Sequence, residues 1–492
     1  MVLFFNNIGD NMYRQINAYN THIEVFPYEA GENSMIENFY SVYDPIFYKM
    51  NPVAYYIENN TLYLPRGTNL NLLEKQFNSS YTVIQKSDPV DKIKIKSKLE
   101  PKSRIQEEAV EFLCSEGRFV GGSGFSQFSL NLEPGDGKTI ATILALCKKY
   151  KCKTIVILHQ TKLKNQWKDE FLKASNIDES RICDLVGSSA MFAASQGLLD
   201  GDIYLVNHQT IHQFGTKYGW NNVKEFFKNI KVGLKIYDEA HKYFSNILMI
   251  DFFSNTRHTF YLTATFTRTQ TKEKQIFRRA FANTYRFGEE TSNYEEKRKH
   301  TIYYYVKYNS HPNPMIIPKM YNKYSISSFK YIDYGLLYDE NNTMLKALGI
   351  IMDLVKSLRG KILITSPKIE STEIIAKWLK KEYPYKTISV INSSKSDEEN
   401  REAVHADIIS STVKSLGTGI DIRGLRVLIN FEPFTSDSNM IQLKGRLREF
   451  SPEDNTFMFD LVDIGFSDIE RMGEKRKAVM KRHALEIKDV NL

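Results

Sequence analysis

"FSLNLEPGDGKTIATILALCKKY", residues 128 to 150, joins an apolar run to a helical pattern through a loop that holds Gly135, Gly137, Lys138 and Thr139. Strand, glycine-bearing loop and helix in that order are the context a phosphate-binding loop requires. Glycines let backbone N–H groups close around phosphate oxygens, and the helix N-terminus adds about half a positive charge. In such a loop Lys138 reaches the β- and γ-phosphates of a nucleotide and the Thr139 hydroxyl ligates Mg²⁺. Two features depart from the full pattern. Leu132 stands where its first glycine belongs, and Glu133 and Asp136 would repel a triphosphate unless their carboxylates face away. Read alone, the loop is ambiguous, and the rest of the chain has to decide.

Outward from the loop, apolar β-branched runs alternate with amphipathic helical stretches. "KTIVIL" (153–158), "DIYLV" (202–206), "GLKIY" (233–237) and "FYLTA" (260–264) follow the first run. A second series holds "TIYYYVKY" (301–308), "KILITS" (361–366), "TISVIN" (387–392), "ADIIS" (406–410), "RVLINF" (426–431) and "TFMFDLVD" (456–463). Alternation of this kind builds parallel sheets with crossover helices, here two α/β lobes in tandem. The first 98 residues differ. "VAYYIENNTLYLPRG" (53–67) reads as two strands turning at Asn59 and Asn60, so a small β-containing accessory domain is expected, a candidate for nucleic-acid binding. "DKIKIKSKLEPKSR" (91–104) reads as a basic hinge, and residues 471–492 as a basic C-terminal helix. The expected domains are 1–98, 99–290, 291–470 and 471–492.

At 492 residues, with 42% hydrophobic and 25% charged residues, the chain is long enough for several cores and is not compositionally disordered. Its net charge of +8 is concentrated. Residues 268–286 hold six Lys/Arg against one acid, and 471–492 hold seven against three, which suits a polyanion. Cys114, Cys147, Cys152 and Cys183 show no metal or C-x-x-C spacing, so they read as reduced thiols of an intracellular protein. The N-terminus lacks a basic leader region and no stretch holds 18 apolar residues, which points to the cytoplasm and away from membranes. Many Asn, Lys, Ile, Tyr and Phe residues against 3 Trp hint at an AT-rich genome such as that of a phage or virus, in which case the cytoplasm is the host's.

"GLKIYDEAHKYF" (233–244) resolves the ambiguity of the loop. An apolar strand ends in Asp238-Glu239-Ala240-His241, and a strand tip is where α/β sheets place ligand chemistry. Asp238 suits Mg²⁺ held through water, and Glu239 suits orientation or deprotonation of an attacking water. With these motifs in order, the sequence resembles the superfamily 2 helicases of the DEAD/DEAH-box type. Other segments match in sequence. "SRIQEEAV" resembles the opening segment whose glutamine reads adenine, here Gln106. "HQTKLKNQW" (159–167) and "DIYLVNHQTI" (202–211) are similar to backbone-contact segments and imply nucleic-acid contacts by Gln166, Trp167, Gln209 and Thr210. "LTAT" (262–265) resembles the coupling motif, which implies that His241, Thr263, Ala264 and Thr265 link the nucleotide site to the strand. "STVKSLGTGIDI" (411–422) is close to the fifth motif, implying nucleotide contacts by Gly419 and Asp421 and a strand contact by Thr412. "QLKGRLREF" (442–450) resembles the sixth motif, whose arginines act as fingers on the γ-phosphate. Arg446 and Arg448 fit, while Glu449 takes the place of the last arginine.

The resemblance spans residues 104 to 450. It implies two RecA-like lobes that bind ATP with Mg²⁺ through Gly135, Asp136, Gly137, Lys138, Thr139, Gln106, Gly419 and Asp421, with Lys138, Glu239, Arg446 and Arg448 catalytic. The Q-W segment and the compact second lobe look more like the DNA-directed, UvsW- and RecG-like branch than like processive RNA helicases. A monomeric helicase or translocase on branched or duplex DNA is therefore expected. A viral transcript-release or RNA helicase, the motor of a restriction or defence complex, and a nucleic-acid-binding protein with an inactive ATPase are the alternatives.

Overall fold

The computed structural model describes residues 14–44, 48–116, 125–132, 136–263, 271–287, 300–317, 319–320, 323–324, 326–416, 422–447 and 454–492. The chain divides into two compact units. One takes residues 1–132 and 136–290, and the other takes 133–135 and 291–492.

The first unit begins with strands β1 (Gln15–Ala18) and β2 (His22–Phe26), helix α1 (Ser34–Phe39), strands β3 (Ser41–Asp44), β4 (Lys49–Pro52), β5 (Tyr56–Glu58) and β6 (Thr61–Pro65), helix α2 (Leu70–Phe77) and strand β7 (Tyr81–Val83). Five of these strands form one mixed sheet in the order β5-β6-β2-β1-β7, and β3 pairs antiparallel with β4 apart from it. The turn read at Asn59 and Asn60 forms, with both residues in the left-handed region at φ 49° and 54°. Asn tolerates that region because its short side chain can hydrogen-bond locally, which is why two-residue hairpin loops favour it.

A doubly wound lobe follows: α3 (Arg104–Cys114), β8 (Ser126–Asn131), α4 (Lys138–Ala145), β9 (Thr154–Leu158), α5 (Leu163–Ala174), β10 (Ile182–Leu185), α6 (Gly187–Ser195), β11 (Ile203–Asn207), α7 (His208–Tyr218), α8 (Trp220–Ile230), β12 (Leu234–Asp238), α9 (Phe244–Phe252), β13 (His258–Thr263), α10 (Thr271–Ala280) and β14 (Tyr285–Phe287). Its seven strands are all parallel, in the order β10-β11-β9-β12-β13-β8-β14. Central strands are covered on both faces, so they read as unbroken apolar runs. Ile155, Val156, Ile157 and Leu158 are all buried.

The accessory region is not a tethered appendage. One continuous buried cluster runs from Ile16, Leu64 and Phe77 to Phe227, Phe253 and Phe281. The turn between β1 and β2 is bolted to the lobe: the Asn20 amide donates to the carbonyls of Thr256 (2.6 Å) and Arg257 (3.0 Å), and the Thr21 hydroxyl donates to that of Ser254 (2.7 Å). Nor is 91–104 a hinge. Ile93 and Ile95 are buried, Lys92 bridges to Cys152 and Ser97 to Ser175, so the segment is strapped along the lobe. Alternation of lysine with isoleucine marked an extended half-buried strand here, not a flexible link.

The second unit holds β15 (Thr301–Tyr308), β16 (Lys319–Met320), β17 (Lys323–Tyr324), α11 (Ser328–Asp333), α12 (Thr343–Val355), β18 (Lys361–Thr365), α13 (Ile369–Glu382), β19 (Ile388–Ile391), α14 (Asp397–Ala403), β20 (Ile408–Ser411), β21 (Leu425–Asn430), α15 (Asp437–Lys444), β22 (Thr456–Asp463), α16 (Ser467–His483) and β23 (Glu486–Asn491). Its main sheet has seven parallel strands in the order β19-β20-β18-β21-β22-β15-β23, the same frame as the first lobe. The expected helix over 471–492 is corrected at both ends. It starts at Ser467 and stops at His483, and "EIKDVN" pairs in parallel with β15 as an edge strand. The partner strand supplies its hydrogen bonds, so no apolar pattern announces it.

Each lobe is pinned by a buried ion pair between sheet and helix. In the first, Lys235 of β12 contacts Asp251 of α9 at 2.5 Å, and the hydroxyls of Tyr237 and Tyr261 donate to the same carboxylate at 2.7 Å each. In the second, Arg476 of α16 contacts Asp460 of β22 at 2.8 Å, with Tyr303 and Asn430 donating to that carboxylate. Cys147, Cys152 and Cys183 are buried, Cys114 is half-buried, and all four are free thiols. No helix among the described residues is long and apolar enough to cross a membrane.

Candidate active site

All strands of the first lobe point the same way, so their C-terminal tips gather the loops on one edge of the sheet. Asp238 at the tip of β12 lies in register with Leu262, and Thr263 at the tip of β13 lies in register with Asn131 of β8. The DEAH residues, the coupling motif and the strand that feeds the phosphate loop are thus neighbours.

Gly137 caps α4 with φ 77°, a left-handed conformation that a side chain resists. A Cβ there would also lie 2.2 Å from Nε2 of Gln106. Gln106 is buried near the start of α3. Its amide donates to the Gly137 carbonyl at 3.3 Å and its Oε1 accepts from the Lys102 N–H at 2.7 Å. The sequence-predicted glutamine therefore buttresses the loop from below. Lys138 donates from Nζ to the Leu132 carbonyl at 2.8 Å, which holds the ammonium over the end of β8. Thr139 and Asp136 are half-buried. Gly135 and Glu133 lie outside the described residues.

Asp238 accepts a hydrogen bond from the Trp167 indole N–H at 2.9 Å. Burial first, and then the Glu239 carboxylate, push its pKa up to about 6, against the pull of Trp167 and Lys138. Burial acts to raise Glu239 too, but Lys138, His241 and Lys242 outweigh it and hold this carboxylate below its usual range. The two adjacent carboxyls are thereby shifted in opposite directions. Glu239 also carries φ 52°, an uncommon conformation for a non-glycine residue and of the kind functional loops store. His241 links two motifs: Nδ1 lies 3.2 Å from Glu239 and 2.7 Å from the Thr263 hydroxyl. The structure thus brings together Gln106, Gly137 and Lys138 on one side and Asp238, Glu239, His241 and Thr263 on the other.

Trp167 is 1% exposed and turned inward, where its indole N–H holds Asp238. Its helical neighbours Leu163 and Phe171 are buried with it, and that i±4 stripe was the signal in the sequence. Gln166 and Gln209 are exposed, and Thr210 is half-buried. Thr412 is buried, and its hydroxyl is engaged with Ser415 at 2.7 Å, capping the turn after β20 instead of reaching outward. Arg446 donates to the Leu416 carbonyl on that same turn. Ala264, Thr265, Gly419, Asp421 and Arg448 lie outside the described residues. Sequence reasoning missed His159 at the end of β9. Its Nε2 lies 3.4 Å from Lys242 Nζ, and burial followed by Lys242 lowers its pKa to about 3, so it stays neutral.

The comparisons bear on this geometry. Residues 98–268 match the family described as the type III restriction enzyme res subunit, and residues 343–449 match the helicase conserved C-terminal domain. The chain belongs to the superfamily 2 helicases. Protein 161L of Invertebrate iridescent virus 6, named as a helicase, is 24% identical over 88% of this chain and 91% of its own length. The structure of UvsW from phage T4 aligns over 98% of this chain and 100% of its own, at 16% identity and a TM-score of 0.37. The type ISP restriction-modification enzyme LlaBIII, solved bound to DNA, aligns over 81% of this chain and 32% of its own, at 13% identity and a TM-score of 0.56, which is a likeness of fold. Helicases of this superfamily bind nucleic acid and use ATP with Mg²⁺. The first lobe fits that use: it offers a left-handed glycine at a helix N-terminus, an adjacent lysine, and an adjacent carboxylate pair at the tip of β12.

Proposed function

We propose that this protein is an ATP-driven motor that moves along or unwinds nucleic acid, with branched or duplex DNA as its substrate in the replication, recombination or repair of a phage or virus. The observation that carries the reading is the run Lys138, Asp238, Glu239, His241, Thr263 at one sheet edge, in which the last link, His241 to Thr263, ties the carboxylate pair to the next motif. In this reading the N-terminal amides of α4 and Lys138 bind the phosphates, and Gln106 orients the loop and the base. Thr139 and Asp238 hold Mg²⁺, which when bound neutralises phosphate charge. Glu239, kept ionised by its cationic neighbours, orients the attacking water and takes its proton. Either Arg448 or Arg446 alone supplies the arginine finger. DNA is favoured because the first-lobe match is to a restriction-enzyme subunit.

The test is ATP turnover with forked DNA, single-stranded DNA and RNA as stimulants. Forked DNA should stimulate most, and stimulation by RNA alone would overturn the DNA assignment. Lys138→Ala should lower the stimulated rate at least about a hundredfold. An unchanged rate would refute the ATP site and leave only a nucleic-acid-binding protein.

A further inference from the structure

The hairpin of β3 and β4 presents two unlike faces. Pairing sets Val42 opposite Asn51 and Tyr43 opposite Met50. Side chains alternate along a strand, so Val42 turns toward the accessory core, where it packs, and Tyr43 and Met50 turn away. Tyr43 is 53% exposed, Met50 39%, and Tyr48, just before β4, 83%. Three large side chains laid bare on the nine described residues of this hairpin are not the scattered exposure that surfaces ordinarily show.

Helix α10 lies alongside β3 in the same compact unit. The contact is built in detail. The Arg279 guanidinium stacks 4.7 Å over the Phe39 ring and donates to the Phe39 carbonyl at 3.2 Å, just before β3. Gly67 N–H donates to the Ala280 carbonyl at 3.2 Å, and a Cβ at Gly67 would lie 2.2 Å from the Arg279 carbonyl, so only glycine permits the approach. Ile276, Phe277 and Ala280 face the core, while Lys272, one turn before Ile276, and Arg278 are exposed. Across α10 four basic residues stand against Glu273 alone. Asp44, the acid of the hairpin, accepts from Asn51 at 2.9 Å on the face opposite Tyr43.

We infer that the exposed hairpin side chains Tyr43, Tyr48 and Met50, with the exposed cations of α10, bind single-stranded nucleic acid by stacking unpaired bases. Only an unpaired strand offers base faces to a tyrosine, and the neighbouring cations neutralise the phosphates that follow the bases. The nucleic-acid motor reading supplies the class of ligand; the position and the preference for unpaired bases come from this surface. Neither the conserved motifs nor the matched family regions reach β3 and β4, since the first match begins at residue 98. Helix α10 is the next described element after the coupling motif in the chain.

The experiment is fluorescence anisotropy on the full chain without ATP, with dT20, rU20 and a blunt 20-base-pair duplex as probes, at about 50 and 200 mM salt. Tyr43→Ala with Tyr48→Ala should weaken binding of dT20, of rU20 or of both by at least about fivefold at either salt, since each stacked base contributes about 1–3 kcal/mol. Duplex affinity should stay unchanged. Tyr43→Phe with Tyr48→Phe keeps the rings and should retain single-strand binding, which separates stacking from a folding defect. Lys272→Ala with Arg278→Ala should reduce the salt dependence by about 1.4 in log–log slope. Unchanged dT20 and rU20 affinity in the double alanine variant overturns the proposal, as does equal competition by polyglutamate, which would mark a charge-only surface for acidic partners. Lys138→Ala should leave all of this binding intact. If that variant kept its ATP turnover, the motor reading would fall while this surface stood.

Discussion

The two lobes share one frame and differ at the strand tips. In sheet order β8 corresponds to β15, β12 to β21 and β13 to β22. In the first lobe β8 leads to Gly137 and Lys138, and β12 ends in Asp238 followed by Glu239. In the second, β15 leads to Asn309 and Ser310, and β21 ends in Asn430, whose amide is fully occupied by Asp460, Thr365 and the backbone of Glu432. One tip keeps charges available at the sheet edge. The other ties its polar groups into a closed network, in which Glu432 accepts from the Val413 N–H at 3.2 Å and so holds the turn that carries the fifth motif. The parallel sheet is a scaffold common to both, and the lobes differ in the few charged groups at its edge.

The comparison is most directly broken at the paired acids. Glu239→Gln should lower the nucleic-acid-stimulated ATPase rate by about 10²- to 10⁴-fold, the usual worth of a general base. Glu432→Gln, two residues beyond the end of β21 in the second lobe, should leave that rate within about threefold, because an amide oxygen can still accept from Val413. Equal losses in the two variants would erase the distinction.

The buried ion pairs test what the lobes have in common. Asp251→Ala should cost the first lobe about 3–5 kcal/mol and Asp460→Ala the second lobe a similar amount, because each leaves a buried cation unpaired. Thermal and urea unfolding of each variant measures this, and a loss below about 1 kcal/mol would show that the pair is not a pin.

A smaller effect separates Trp167 as support from Trp167 as strand contact. Trp167→Phe keeps a ring in the core but removes the donor to Asp238, a charge-assisted bond worth about 1.5–3 kcal/mol. Expected is a higher Mg²⁺ requirement for ATP turnover, with nucleic-acid affinity in the absence of nucleotide unchanged. Loss of that affinity instead would support the strand-contact role.

A pH dependence is expected from the second lobe as well. Burial above all raises Glu432 to about 7, with Val413 and Arg476 pulling the other way. The folded state then binds the proton more tightly than the unfolded chain between the ordinary glutamate value and about 7, so this group's contribution to stability is present below that window and is lost as pH rises through it. Urea midpoints at pH 5 and pH 8 should show Glu432→Gln flattening that fall. An identical slope in the variant would remove Glu432 as its source.

Much of the frame was legible because central parallel strands are buried on both faces and announce themselves as β-branched runs, as "KTIVIL" and "KILITS" did for β9 and β18. The phosphate loop, DEAH and LTAT were legible because backbone geometry and charge at those positions admit few residue types. What escaped was set by partners distant in sequence. The edge strand β23 is polar and acquires its identity only from β15. The strap at 91–104 looked like a linker until Ile93 and Ile95 found the lobe.

The sequence by itself determined that this is a two-lobed α/β helicase whose first lobe carries the loop, the acid pair and the coupling threonine in order, since local propensity and motif chemistry are short-range properties. Tertiary structure alone decided that the Trp167 indole meets Asp238, that Gln106 backs Gly137, and that the accessory region and the first lobe form one body with the aromatic hairpin beside α10. Those outcomes depend on which side chain meets which across tens to hundreds of residues, and such meetings arise from packing and burial, for which no local pattern exists.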